Sequence, residues 1–208
     1  MAPTAEPASA NLSPEALADL LWSTDPTLNA YMFRTTELLH RILQAEWQEQ
    51  KGMLCHRNAF TISNGNKVEG LLVGHTTEEW PESFEASLVV QTRSLSDKDA
   101  NALNAAIHWM DRLFPTPRDG SYYVLELAVA RSAQGKGLAK ILLDAGKARA
   151  RDEGCDQICL DVSADNPAVA FYEHLGFVTE IETRVPYLDE TRGIGLHYHM
   201  VRGLEPFE

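Results

Sequence analysis

The sequence predicts a single α/β domain, a central sheet flanked by helices. Three observations predict it. Tyr122–Val129 is an unbroken run of strand-forming residues, followed by a glycine-containing turn and a helix-forming stretch that lasts to Gly154. A second such run, Gln157–Ser163, follows at once, which gives strand–helix–strand order. Upstream, His56–Ser63 and Lys67–His75 flank the turn Asn64-Gly65-Asn66 and read as a hairpin. The 208 residues, 44% hydrophobic and 23% charged, suffice for one such domain and contain no internal repeat.

The remaining elements follow from local signals. Residues 1–11 are Ala, Pro, Ser and Thr without periodicity and predict a disordered tail, with the domain itself spanning 12–208. Residues 12–50 predict helix. Ser13 is an N-cap before Pro14 and Glu15, Leu17, Leu20 and Leu21 share a face, and a second helix runs from Asp25-Pro26 through Tyr31, Leu38, Leu39, Ile42 and Leu43 to about Gln50. A helical stretch is expected between Thr76 and Gly120, clearest where Ser96 and Asp99 make a capping box. Asn166-Pro167 starts a short helix that Gly176 ends, and Phe177–Val185 and Gly195–Arg202 read as the last strands.

Composition excludes several function classes. A formal net charge of −12 opposes binding to nucleic acid and is compatible with a cationic substrate. No run of 18 apolar residues occurs, so no membrane span is expected. The first residues have neither a basic nor an apolar signal region, and the expected location is cytoplasmic. Cys55, Cys155 and Cys159 are too few for a disulfide framework and lack zinc-ligand spacing; no metal site is expected. His197 and His199 share a strand face, a pattern more often structural than metal-binding.

The chemistry concentrates in Gln134-Gly135-Lys136-Gly137-Leu138-Ala139. A helix that starts here presents unpaired N–H groups and a positive dipole end, a ready anion site. Gly135, Gly137 and the small Ala139 let an anion approach the backbone, and Lys136 and Lys140 add positive charge. The segment is not a Walker loop, whose spacing is absent. It also breaks the dinucleotide fingerprint, because Lys140 stands where the third glycine belongs.

It does fit another pattern: Gln or Arg, two free positions, Gly, one free position, then Gly or Ala, here Gln134, Gly137 and Ala139. A second pattern lies downstream, Asn166-Pro167-Ala168-Val169-Ala170-Phe171-Tyr172-Glu173-His174-Leu175-Gly176-Phe177. With both present, the region 122–180 resembles the GNAT superfamily of N-acetyltransferases. The resemblance implies a mixed central sheet with a splayed strand pair, acetyl-CoA as co-substrate and no metal. It implies that the backbone of Leu127, Ala128 and Val129 holds the pantetheine arm, and that the amides from Gly135 to Lys140 hold the pyrophosphate. Asn166 resembles the residue that hydrogen-bonds pantetheine, although the spacing to Tyr172 is one residue shorter than usual, so that Asp165 is an alternative.

Tyr172 matches the position from which this family donates a proton to the departing thiolate. A tyrosine with a pKa of about 10 suits a thiol near 8.5. Glu126 is the first candidate to accept the amine's proton, and Asp161 is the second. The 76–120 stretch resembles the helical connection of puromycin-acetyltransferase-like members. Trp80, Phe84 and Trp109 within it are candidates to line an acceptor pocket. The resemblance therefore implies acetyl transfer to a primary amine by direct attack, with a small cationic or antibiotic-like acceptor, and a tendency toward homodimers. Alternatives are an acetyltransferase acting on protein N-termini or lysines, a CoA-binding sensor without turnover, and a nucleotide binder.

Overall fold

The computed structural model describes residues 2–65 and 67–204. One mixed sheet of seven strands organises the chain: β1 (Glu6–Pro7), β2 (Ala59–Asn64), β3 (Lys67–Thr76), β4 (Ser121–Val129), β5 (Gln157–Ser163), β6 (Val178–Thr183) and β7 (His197–Gly203). Their spatial order is β1-β2-β3-β4-β5-β7-β6. All neighbours are antiparallel except β4 and β5, the strand–helix–strand pair anticipated from sequence.

Helices cover both faces. On one lies α6 (Leu138–Asp152), whose Leu138, Leu142 and Leu143 pack on Leu72, Tyr122, Val124 and Ile158; α7 (Ala168–His174) adds Tyr172 to the same cluster. On the other lie α1 (Pro14–Trp22), α2 (Pro26–Phe33), α3 (Thr36–Glu46), α4 (Trp80–Ser94) and α5 (Asp97–Leu113). There Leu17, Leu39, Leu43 and Leu103 pack on Leu71, Val73 and Ala128. A helix not anticipated, α8 (Pro186–Arg192), closes a third cluster with Met110 and Leu113.

Three expectations need correction. Residues 2–11 are not a free tail: Glu6 pairs with Thr61 and Pro7 with Phe60, the Trp47 indole donates to the Ser9 carbonyl at 3.0 Å, and Ala8 is buried. The cause is the open edge of β2, a tertiary feature that composition does not carry. The helix predicted from Pro26 to about Gln50 is two helices. Arg34 adopts φ +64°, and the Thr35 hydroxyl accepts from the Leu38 amide to start afresh. His56–Asn58 forms a short 3-10 turn ahead of β2 rather than strand. Ser96 caps α5 through the Asp99 amide as predicted. The expected Asn64-Gly65-Asn66 turn falls partly on Asn66, outside the described residues.

Two irregularities in β4 position the site. Its ladder with β5 runs only from Ser121–Gln157 to Val124–Leu160 and then ends, while β4 stays paired with β3 to Val129 and β5 stays paired with β7 to Ser163. The two central strands therefore splay. Against β3, Val124 faces Gly74 and Glu126 faces Val73, so Leu125 is an extra, bulged residue. Directly opposed residues share a face. Hence Leu125 and Glu126 both turn toward the α1–α3 side, and Leu127 returns to the α6 side.

Next to the bulge, Gly74 lets the Tyr122 ring lie flat on β3: a Cβ at Gly74 would meet the Tyr122 Oη at 2.6 Å. Tyr122 is wholly buried and its hydroxyl has no partner among the described residues. Tyr122→Phe is therefore expected to be neutral or stabilising by up to about 1 kcal/mol in denaturant unfolding, since an unsatisfied hydroxyl is removed and no bond is lost.

Candidate active site

A continuous cavity of about 1280 Å³ runs from the glycine turn, through the gap between β4 and β5, to the helices on the far face. Gln134 and Ala139 line its turn end. Leu127, Ala128, Val129, Asn166 and Tyr172 line the gap, and Asp25, Phe33, Glu46, Trp80, Phe84 and Asp111 are among those lining the far lobe. Of the aromatic residues proposed for a pocket, Trp80 and Phe84 are in the wall. Trp109 instead stacks on Tyr187 with ring centroids 4.4 Å apart.

The turn has the features an anion site needs. Gly135 and Gly137 take φ +76° and +79°, the left-handed region, and a Cβ on either would meet nothing within 4 Å. Gly137 is the N-cap of α6 and no side chain caps the helix there. The first-turn amides, Leu138 to Lys140, thus open outward, the more so because the first turn of a helix has no internal acceptor. Gly135, Lys136, Gly137, Leu138 and Lys140 lie outside the cavity's enclosed part, at its mouth. Leu138 offers only its amide, its side chain being core. Lys140 is already ion-paired to Asp144 at 2.7 Å, and the Gln134 side chain donates to the Val129 carbonyl at 3.4 Å.

Asn166 accepts from the Ala168 amide at 2.9 Å and so fastens the start of α7, which leaves its NH₂ group to donate to a ligand. Asp165 accepts instead from the Ser163 hydroxyl at 2.7 Å. On α7, Tyr172 packs edge-on to Phe177 with centroids 5.7 Å apart, and only 7% of its surface is exposed. Burial, and secondarily the charge of Glu126, raise its pKa and keep it protonated.

Glu126 reaches the cavity from β4, and the Thr24 hydroxyl donates to its Oε2 at 3.2 Å. Burial pushes its pKa up to about 8, the Thr24 bond opposes this, and nearby Asp25 reinforces it. Glu126 is half-buried, partly open to the cavity, and the protein packed around its carboxyl group is what desolvates it. Asp161, the other candidate base, is engaged at both oxygens, by the Tyr123 hydroxyl at 2.7 Å and by His199 Nδ1 at 3.0 Å. His197 is bonded through Nδ1 to the Gly195 carbonyl at 3.0 Å. Among the described residues no group of three or more His, Cys, Asp or Glu is arranged to hold a metal ion. The cysteines are buried thiols, Cys155 pushed up to about 11 and Cys159 to about 12 by desolvation.

Glu126 and Tyr172 thus approach one cavity from opposite faces of the sheet, across the splay. The profile of the acetyltransferase (GNAT) family matches residues 27–177, almost three quarters of the chain and the whole of this cavity's central part. This chain belongs to the GNAT family. Curated relatives named mycothiol acetyltransferase share 44% identity over 75 residues in Corynebacterium aurimucosum, covering 35% of this chain and 24% of the relative. In Paenarthrobacter aurescens they share 33% over 138 residues, covering 62% and 39%. The matched region thus spans well under half the length of these relatives. Among solved GNAT-type folds, a Staphylococcus aureus N-acetyltransferase superposes with TM-score 0.68 at 13% identity, over 96% of this chain and 100% of the other. A Bacillus subtilis acetyltransferase solved with CoA gives 0.56 at 15% identity, over 98% and 99%. These likenesses show the GNAT fold. No helix among the described residues is long and apolar enough to cross a membrane.

Thr24, Asp25 and Glu46 line the cavity, and none of them was named as a candidate from the sequence. Asp25 was read only as the start of a helix, and it does cap α2 through the Leu28 amide at 2.9 Å.

Proposed function

We propose that this chain transfers the acetyl group of acetyl-CoA to a primary amine of a small cationic acceptor by direct attack within a ternary complex. One observation carries this reading. The cavity joins an uncapped helix N-terminus to a far lobe, and its wall includes Asp25, Glu46, Asp111, Asp119, Glu126, Asp161 and Asp165 but, among the described residues, no Lys or Arg. The residues fit the co-substrate. Open space at Gly135 and Gly137 suits a pyrophosphate on the Gly135–Lys140 amides. The unpaired side of β4 at Leu127–Val129, with the Asn166 NH₂, suits the pantetheine arm.

When bound, acetyl-CoA supplies a thioester-activated acetyl group. Glu126, ionised above about pH 8, takes the proton that the acceptor ammonium must lose, so that its nitrogen can form the new C–N bond. Tyr172 donates its phenolic proton toward the sulfur as the C–S bond breaks. Enclosure by α2, α4 and α5 favours a small acceptor over a protein terminus, and the names of the curated relatives agree with a small molecule. Glu126 and Tyr172, both facing the cavity, favour turnover over mere sensing of CoA.

The test is acetyl-CoA-dependent thiol release with a panel of amines, aminosugars and peptides. Release with small cationic amines is expected. Release with peptides alone overturns the acceptor class, and tight acetyl-CoA binding without release to any amine overturns the enzyme reading. Tyr172→Phe is expected to lower kcat roughly 10- to 100-fold with little change in acetyl-CoA affinity, as suits loss of a proton donor. Equal turnover would make Tyr172 a packing residue only.

A further inference from the structure

Glu46 has no place in the proposed chemistry, yet it is the most deeply buried carboxylate in the cavity wall, with 0% of its surface exposed. It projects from α3 on the side of Leu39, Ile42 and Leu43, the apolar face. One oxygen is fixed by three linked hydrogen bonds. Oε1 accepts from the Leu54 amide at 2.7 Å and from the Ser87 hydroxyl, while Ser87 Oγ itself accepts from the Met53 amide at 2.7 Å, which directs its proton at Glu46. The 52–54 segment closes over this arrangement, since a Cβ on Gly52 would lie 2.7 Å from Oε1.

The other oxygen, Oε2, has no partner among the described residues. Neither protonation state satisfies it. Ionised, it is a desolvated charge without a counterion; neutral, its O–H is a buried donor without an acceptor. Burial is the main cause that raises its pKa, so the group resists charging until a cation arrives. A carboxylate kept only for structure is satisfied at both oxygens, as Asp161 is. The wall beside Glu46 is formed by Met53, Leu54, Phe84 and Leu88, an apolar channel suited to a hydrocarbon linker.

We infer that Glu46 is a second cation subsite of the acceptor lobe and that the acceptor is a diamine. One amino group is acetylated at Glu126, and a second ammonium group, at the far end of an apolar linker, pairs with Glu46 Oε2. This rests on the acetyl-transfer reading above and narrows its acceptor class.

Thiol release from acetyl-CoA is to be measured with α,ω-diaminoalkanes of increasing length and with n-alkylamines matched to them, for the native protein and for Glu46→Gln. Gln keeps an oxygen for the Leu54 amide and Ser87 and removes the charge. Expected is a diamine of one preferred length whose KM is at least roughly tenfold below that of its matched monoamine. In Glu46→Gln this advantage should shrink to about twofold, through a rise in the diamine KM larger than any change in the KM of the matched monoamine. A native protein that treats the two series alike overturns the inference without any variant, and so does a diamine advantage that survives Glu46→Gln. If neither series gives release while other small amines of the wider panel do, the inference alone falls; if no amine of the wider panel gives release either, the acetyl-transfer reading falls with it.

Discussion

Glu126→Gln should reduce kcat by roughly 10²- to 10⁴-fold, the usual contribution of a general base, and should remove the inflection that Glu126 gives the pH profile. In the native protein, kcat/KM is expected to climb about tenfold per pH unit up to about pH 8 and then level, because burial places the Glu126 pKa there. Gln cannot titrate, so its profile should lack the levelling near pH 8 and follow only the acceptor's own deprotonation. The same substitution has a stability signature whose sign is fixed. The folded-state pKa of about 8 lies above the ordinary value of 4.5, so the folded protein holds the extra proton between these values. Stability tied to that proton is fully present below about pH 4.5 and is lost as pH rises through about 8. The melting temperature of Glu126→Gln relative to native protein should therefore rise from pH 5 to pH 8 and change no further above it. A native rate profile that is already flat would remove Glu126 from the base role, whatever the melting curves show.

Gly137→Val should weaken acetyl-CoA binding on the order of a hundredfold, about 2.7 kcal/mol, read by calorimetric titration. A side chain at Gly137 projects into open space at the uncapped start of α6, the space a pyrophosphate needs. Valine at φ +79° also strains the backbone, by about 1–3 kcal/mol, and this effect has to be separated. Gly154 provides the control. It sits beyond the other end of α6 at φ +77°, and a Cβ there would likewise meet nothing within 4 Å. Gly154→Val should lower the melting temperature by a similar amount and leave acetyl-CoA affinity untouched. Equal affinity for both variants would mean the turn does not carry the pyrophosphate.

What was legible in the sequence was whatever depends on neighbours along the chain. Ser96 with Asp99, Gly137 ahead of the α6 leucines, and the β-forming run Gln157–Ser163 each act within a few residues and appear where expected. The tail around Glu6 depends on an open strand edge more than fifty positions away, so no local signal reveals it. The break at Arg34 was half visible. Thr35-Thr36-Glu37 has the residues of a helix start, but the continuing apolar spacing masked it. Glu46 was visible and overlooked: counted from Leu39, Ile42 and Leu43, it falls on the buried side, where a carboxylate has no ordinary reason to be. Glu126 was chosen by its place in a strand, but its orientation was hidden, because alternation along β4 assigns it to the wrong side unless the Leu125 insertion is known.

That insertion works like a shift of reading frame within one strand. Before it, even-numbered residues such as Tyr122 and Val124 belong to the core beneath α6; after it, odd-numbered Leu127 and Val129 do. Without the shift, Glu126 would stand in that core with no water and no Thr24, and Leu127 would stand in the acceptor lobe. A single surplus residue thus lets one strand serve two masters. Its outer part is written for packing and its inner part for chemistry, and the sequence on either side of the join is free to vary on its own terms.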